Sequence, residues 1–200
     1  MANHVFTGLV KTGGADEVGI GALATAPASG TVTVVQQRFG SFFSLTFTLA
    51  AASIPVTDAA GSGSSGSLKL WDFAQAGIVP LGCRQNYTAF AEGAALTGGA
   101  GDASFVMGVG SAAANAGDGA LTGTEVDIGA VTAAITLSGG TSTGTKLSGA
   151  GLNTSAALDG TTSASAIYLN WSGTAATIDA NSTIAVTGTV TVIGAFLGDD

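Results

Sequence analysis

Apolar residues alternate with threonine or serine along two stretches of this chain, and this two-residue period restricts its fold more than any other feature. Residues 43–49 have the sequence FSLTFTL, and residues 183–192 have the sequence TIAVTGTVTV. Because successive side chains of a strand point to opposite faces, each stretch predicts a strand with one apolar and one hydroxyl-bearing face. Such strands are typical of antiparallel sheets with one face on the core. Gly188, on the apolar face of the second stretch, predicts a bulge or a closely packed neighbour.

Six shorter stretches also predict strands, with glycine- and serine-rich turns between them. They are residues 31–35, 67–73, 79–90, 104–109, 131–137 and 165–171. About eight strands with almost no helical periodicity predict an all-β protein, either an antiparallel β-sandwich or a jelly-roll or β-barrel domain. One helical turn is expected at Thr122, since the sequence TGTE at 122–125 has the spacing of a capping box.

The first 28 residues are apolar without clean alternation, and they end just before the first regular strand. We therefore expect an extended N-terminal arm at 1–28, followed by a single β-sandwich or jelly-roll domain at 29–200. An edge strand of the same sandwich is the alternative for the arm. An arm that docks on a neighbouring subunit would bind by strand addition. The first residues show no pattern of a cleaved secretory signal, and no stretch has the roughly 18 consecutive apolar residues of a membrane-spanning helix.

Charged residues are scarce, since the 200 residues include 13 acidic and 5 basic ones, for a net charge of −8. An ordinary soluble domain is about 25% charged. The five basic residues are scattered along the chain, which argues against direct binding of nucleic acid. The surface must instead consist largely of Thr, Ser, Asn, Ala and Gly, a composition that suits a rigid β protein packed into an assembly.

Side chains for catalysis or metal binding are few. His4 and Cys83 are the only residues of their kinds, so neither a catalytic triad, nor a His/Cys metal site, nor an intrachain disulfide is expected. Cys83 lies in an apolar segment, which favours a buried, inert thiol. We therefore expect no enzymatic activity, no cofactor and no resident metal. Calcium bound by a loop such as 98–102 or 125–127 stays open as an alternative.

The sequence Trp71-Asp72-Phe73 is the one cluster in which an acidic residue is flanked by aromatic residues. Glycosidases combine catalytic carboxylates with aromatic residues that bind the sugar. Adjacent strand residues point to opposite faces. Trp71 and Phe73 should therefore share one face, while Asp72 points to the other. This arrangement favours an aromatic face packed in a core or an interface.

Taken as a whole, residues 30–200 resemble capsid decoration, or cement, proteins of tailed bacteriophages, including cyanophages. The likeness is strongest at GSLKLWDF (66–73), LTGTE (121–125) and FLGDD (196–200). The resemblance implies a structural virion protein with a jelly-roll or related β-barrel fold. It also implies a homotrimer on the outer capsid surface, at three-fold or quasi-three-fold positions, that clamps neighbouring major capsid proteins. No membrane partner is implied.

For such a protein, we expect intersubunit contacts in the arm and at exposed aromatic side chains. The residues are Phe6, Leu9, Ile20, Leu23, Phe42, Trp71 and Phe73. A carbohydrate-binding or adhesin-like module of a phage tail or cell surface is the alternative, with an aromatic platform at Trp71 or Trp171. A threonine array that binds ice or another surface is a variant that the irregular Thr-x-Thr spacing disfavours. A polysaccharide depolymerase using Asp72 or Glu125 comes last.

Overall fold

The computed structural model describes thirteen parts of the chain. They are residues 11–12, 21–23, 31–58, 63–74, 77–92, 104–115, 119–136, 141–143, 149–150, 158–160, 162–163, 165–173 and 181–198. Within them, thirteen strands belong to one sheet. The strands are β1 (Lys11–Thr12), β2 (Gly21–Leu23), β3 (Val32–Phe39), β4 (Phe42–Asp58), β5 (Ser64–Phe73), β6 (Gly77–Glu92), β7 (Ser104–Gly110), β8 (Ile135–Thr136), β9 (Thr141–Thr143), β10 (Gly149–Ala150), β11 (Leu158–Asp159), β12 (Ala166–Gly173) and β13 (Ser182–Gly198). All of their pairings are antiparallel.

The sheet is built around three long neighbouring strands, β6, β13 and β4, of 16, 17 and 17 residues. Its main order is β10-β6-β13-β4-β5-β12-β7-β8, and β3 pairs with the first half of β4. The sheet curls into a half-barrel, which confirms the prediction of an all-β antiparallel fold of the sandwich or barrel type. The alternating stretches at 43–49 and 183–192 lie in the first part of β4 and of β13, and both strands extend beyond them.

The predicted strand at 131–137 is wrong for most of its length, because only Ile135–Thr136 form a strand among its described residues. Thr132 explains the difference. Its backbone N–H donates to the carbonyl of Met107 at 2.8 Å. In the opposite direction, the Met107 N–H donates to the Thr132 hydroxyl at 3.0 Å, where a regular strand pair would use a backbone carbonyl as acceptor. A side chain therefore replaces one backbone acceptor, and the regular ladder is interrupted.

The inner face of the curled sheet forms the hydrophobic core, in which aromatic rings meet edge to face across the half-barrel. Phe47 lies 6.0 Å from Trp71 between ring centroids, and Phe90 lies 5.1 Å from Phe105. The second contact joins β6 to β7, which stand far apart in the strand order. Edge-to-face packing at these distances adds about 1 kcal/mol per pair beyond the burial of area.

Residues 119–136, here called the crossing segment, contact both β7 and β6. These two strands are far apart in the strand order, so the segment spans the open side of the half-barrel. On the β7 side, the backbone of Val109 exchanges two hydrogen bonds with Gly129, at 3.1 and 2.7 Å. On the β6 side, the buried amide of Gln85 donates to the carbonyl of Ala130 at 2.8 Å. The segment therefore covers the core where the sheet does not close on itself.

β-Bulges change which residues of a long strand face the core. In β4 the buried positions are odd-numbered up to Leu49 and even-numbered from Ala52. Between them, two residues of β4 oppose only Thr187 of β13, and Ala51 has a positive φ of 54°. An extra residue in one strand has this effect, because it shifts the two-residue period by one.

The backbone of the predicted arm is described only at β1 and β2. Both strands pair with the chain's own sheet, β1 with β3 and β2 with β5. The division into an arm at 1–28 and a domain at 29–200 stays a prediction. The other residues of 1–28 lie outside the described residues.

Candidate functional site

A buried polar network holds the loop after β7 and the crossing segment against β12 and β5. Its centre is Asn170 on β12, which is fully buried. The amide nitrogen of Asn170 donates to the carbonyls of Ala112 at 2.9 Å and Glu125 at 2.7 Å. Its amide oxygen accepts from the Ser67 hydroxyl at 2.7 Å and from the Ala114 N–H at 3.1 Å. The network is a structural clasp, since each of these bonds fixes a backbone or a strand residue.

The neighbouring acids Glu125 and Asp127 are both buried in this clasp. The two oxygens of the Glu125 carboxylate accept from the backbone N–H groups of Asn115 at 2.7 Å and Thr122 at 2.8 Å. Asp127 accepts from the backbone N–H of Ser111 at 2.7 Å and from its hydroxyl at 2.6 Å. The Thr122 bond to Glu125 closes the predicted helical turn, a 3₁₀ turn at Gly123–Glu125.

These contacts use the two carboxylates to fix backbone rather than to face a ligand. A general acid or base must reach the atom that it protonates or deprotonates, and both groups are covered by their own chain. Among the described residues, no three His, Cys, Asp or Glu side chains come together as metal ligands.

Cys83 is buried on β6, as predicted for an inert thiol. Burial raises the pKa of its thiol from 9.0 to about 12. Tyr87, four positions after Cys83 on the same strand, is fully buried, and its hydroxyl donates to the Gln85 side chain at 2.7 Å. Burial, and secondly the nearby Cys83, raise the pKa of Tyr87 well above its ordinary value of 10.0. Neither group can ionise near neutral pH, so neither is an activated nucleophile or base.

Lys69 and Asp72 form an ion pair on the outer side of β5. The hydrogen bond that Lys69 donates to Asp72 raises the pKa of Lys69 above 10.5. Both side chains are partly exposed, at 33% and 40%, so the pair contributes little to stability. Asp72 thus points away from Trp71 and Phe73, as the strand alternation predicts.

The aromatic residues expected at an interface separate into buried and exposed ones. Trp71 and Phe73 are 2% and 3% exposed, so the expectation that they are exposed contact residues is wrong. A bulge in β5 is the reason. Ile167 of β12 pairs with Trp71, whereas the next residue, Tyr168, pairs with Lys69. Leu70 is therefore an extra residue in β5, and both Leu70 and Trp71 point inward. Trp171 is also fully buried, so neither tryptophan forms an aromatic platform for a glycan.

Phe42, in contrast, is 55% exposed at the start of β4. For Leu23, the structure describes only the backbone, which pairs with Trp71. Phe6, Leu9 and Ile20 lie outside the described residues.

The outer face of β3, β4 and β13 carries a group of threonines, here called the threonine face. It consists of Thr33, Thr46, Thr48, Thr189 and Thr191. The register places Thr33, Thr48 and Thr189 in one row across the three strands. Thr46 and Thr191 lie side by side in the next row, where their hydroxyls are 3.2 Å apart. From Phe42 to Thr57 and from Ser182 to Gly198, β4 and β13 contain no charged residue.

At one end of the same outer face, large apolar side chains are exposed. This apolar end patch consists of Phe39, Phe42, Leu81, Ile193 and Leu197, which are between 39% and 63% exposed. Phe39 pairs directly with Phe42, Phe42 with Ala195, and Ile193 with Gly82 beside Leu81. The Phe39–Phe42 turn contains Gly40 with a φ of 63°, a conformation that two-residue hairpin turns require.

Sequence reasoning found Phe42 but missed the other four members of the patch. They are spread over 158 positions, from Phe39 to Leu197, and only the strand register brings them together. The one local signal was that Phe39 and Phe42 flank a glycine-containing turn, which places both at a hairpin end.

Comparisons with protein-family models, with curated proteins and with solved structures found no match to this chain. Among the described residues, no helix has both the length and the apolar character needed to cross a membrane.

Proposed function

We propose that this protein is a structural component of a virion. In this proposal it binds the outer surface of a tailed-phage capsid as a homotrimer and stabilises the joints between major capsid proteins. The observation that carries the proposal is the wide uncharged outer face of β4 and β13, in which threonine, serine and alanine take the place of the usual surface charges. The resemblance of residues 30–200 to capsid decoration proteins supports the same function.

The size of this outer face suits a stable interface. The strands β4 and β13, of 17 residues each, are about 55 Å long at roughly 3.3 Å per residue and together about 10 Å wide, and the 8 residues of β3 add about 26 by 5 Å. The resulting area of roughly 650 Å², which includes the exposed apolar end of these strands, approaches the roughly 800 Å² that one partner contributes to an interface of standard size. Burying hydroxyl and methyl groups requires no desolvation of charge, which is the largest cost of burying polar surface.

The proposed mechanism is mechanical. A rigid sheet that contacts two neighbouring capsid subunits adds binding energy that must be lost before the subunits separate. The force from packaged DNA then meets a higher barrier to rupture. The buried clasp around Asn170 contributes rigidity, because it ties the crossing segment to the sheet through hydrogen bonds that are shielded from water.

The glycan-binding alternative is less well supported by the geometry, because it needs an exposed aromatic platform. Both tryptophans are buried. The exposed aromatic residues Phe39 and Phe42 lie at the end of the sheet, where they form part of a mainly aliphatic patch.

The test is co-sedimentation of the purified protein with heads of the tailed phage that encodes it, after removal of the native copies. We expect saturable binding and a higher temperature of head rupture when the protein is bound. Thr33→Lys and Thr48→Lys, both at exposed positions of the threonine face, should weaken binding at least tenfold, because each places a charge in the interface.

Thr136→Lys is the matched control, since Thr136 is an exposed strand residue on β8, at the other end of the sheet. It should bind as the wild type does. Failure of the wild-type protein to sediment with heads would refute the proposed function. Equal binding by all three variants would show that the threonine face does not contact the capsid.

A further inference from the structure

We infer that the apolar end patch is the surface through which copies of this chain contact one another. The inference deepens the proposed function, on which its trimeric form rests, by naming the residues of the self-contact. It assigns the threonine face to the capsid and the end patch to the neighbouring copy.

Exposure and position mark this patch as a contact surface. Six large hydrophobic side chains are exposed among the described residues, and five of them lie together at one end of one sheet face. The sixth, Val131, lies apart in the crossing segment. Single exposed apolar residues are ordinary, whereas a contiguous group rimmed by polar residues marks an interaction site.

The area of the patch fits the apolar part of one interface. A whole phenylalanine side chain offers roughly 200 Å² and an aliphatic one slightly less, so the exposed fractions correspond to about 450 Å² of apolar surface. Interfaces of standard size bury about 800 Å² per partner, of which about 56–65% is apolar. The patch therefore supplies the apolar share of one such interface without help from the threonine face.

The lack of charge in the patch favours a second copy of this chain as its occupant. With 13 acidic and 5 basic residues, two copies repel each other where their charged surfaces meet. All five residues of the patch are uncharged. Copies that meet at the patch thus avoid bringing carboxylates together, while the apolar surfaces match in kind.

The position of the patch suits a closed ring as well. Around a three-fold axis, one half of each patch contacts the other half of the patch on the next copy, because the contacts of a closed ring are heterologous. Three apolar end patches would then converge at the axis, while the threonine faces of all three copies stay free to bind the capsid.

The experiment measures the mass of the purified full-length protein by sedimentation equilibrium between about 1 and 100 µM, without capsids. Four forms are compared: wild type, Ile193→Asp, Val131→Asp and Ile193→Thr. The two aspartate variants place the same charge at an exposed β-branched residue, inside and outside the patch. Circular dichroism and tryptophan fluorescence check that each variant is folded. A second patch variant, Ile193→Thr, keeps the strand preference of this position and copies its neighbour Thr191.

We expect the wild type and Val131→Asp to sediment at three times 19.1 kDa and Ile193→Asp to be monomeric. Ile193→Thr should weaken association at least tenfold. A monomeric wild type at 100 µM would overturn the inference, and so would a folded Ile193→Asp that associates as the wild type does.

The result also separates the two proposals. A dimer that the patch variants dissociate would support the patch and refute the three-fold arrangement. A self-associating protein that does not bind heads would refute the capsid function and leave the self-contact intact.

Discussion

At the residue scale, the polar side chains of the interior hold separate parts of the chain together by hydrogen bonds. Asn170 makes four hydrogen bonds to residues on three separate parts of the chain. Glu125 is buried, and its carboxylate accepts hydrogen bonds from two backbone N–H groups. A buried polar network stabilises a fold when each of its members is satisfied, and it costs stability when a partner is lost.

Replacing Asn170 should therefore destabilise the protein strongly. Asn170→Ala leaves the carbonyls of Ala112 and Glu125 without this donor, and we expect the free energy of unfolding to fall by about 3 kcal/mol. Urea denaturation measures the change. Asn181→Ala is the control, because Asn181 is exposed and its oxygen accepts one bond, from the Asp58 N–H at 3.0 Å. That variant should lose less than about 1 kcal/mol, and equal losses would contradict the role of the clasp.

The buried Cys83 thiol makes stability depend on pH in the alkaline range. Its pKa is about 12 in the folded protein and 9.0 ordinarily, so the unfolded chain releases this proton first. The contribution is complete below pH 9 and is lost as the pH rises from 9 to 12. Between pH 8 and 10, Cys83→Ala should lose about 1.4 kcal/mol less stability than the wild type. Parallel stability curves for the two proteins would show that the thiol does not ionise on unfolding.

At the element scale, bulges decide how the long strands pack. β13 keeps one uninterrupted set of inward positions, while β4 and β6 each contain an extra residue opposite its middle. Gly188 lies at this level, with a φ of 157°. A Cβ atom there would be 2.3 Å from the Asn86 carbonyl oxygen and 2.7 Å from the Tyr87 Cα. The glycine is thus needed where the backbone of β6 crowds β13, as its place in the sequence pattern predicts.

Gly188→Ala should destabilise the protein by about 3 kcal/mol or more, because both atoms in the way belong to backbone and cannot move without distorting β6. Gly40→Ala is the control, since Gly40 has a φ of 63° but no atom within 4 Å of an added Cβ. It should cost about 1 kcal/mol, the usual penalty for a left-handed residue with a side chain. Chemical denaturation of both variants gives the comparison, and a loss at Gly188 no larger than at Gly40 would rule out the steric argument.

At the scale of the whole molecule, the sheet is held together by contacts between distant parts of the chain. The hydroxyls of Thr46 and Thr191, which face each other across β4 and β13, are 145 positions apart in sequence. The strand order also places the last strand, β13, between β4 and β6. The strands β4 and β6 can therefore be joined into one sheet only after β13, far along the chain, has paired with both.

We expect slow folding as a result. Folds dominated by distant pairings refold in roughly milliseconds to seconds, because loop-closure entropy is lost before the contacts form. Stopped-flow fluorescence should show a refolding phase slower than about 10 ms in dilute buffer, with Trp71 and Trp171 as probes that become buried. Refolding complete within a millisecond would indicate that local contacts, such as the β3–β4 hairpin, dominate instead.

The sequence by itself determined the local properties of the protein. The two-residue period was enough to predict β4 and β13, the antiparallel class and the shared face of Trp71 and Phe73. The capping-box spacing predicted the turn at Gly123–Glu125, and the mid-strand glycine predicted the crowding at Gly188. Each of these depends on side-chain direction or backbone freedom over a few neighbouring residues, which the sequence contains directly.

Only the tertiary structure decided which side chains of each strand face the core along its whole length, and which strands are neighbours. The extra residue in β5 turned Trp71 and Phe73 from expected surface residues into core residues. The register made a threonine face from irregularly spaced Thr-x-Thr pairs, and an apolar end patch from residues on β3, β4, β6 and β13. The physical reason is that alternation fixes two possible faces for a strand, whereas the choice between them, and of the partner, depends on hydrogen bonds to residues far away in sequence.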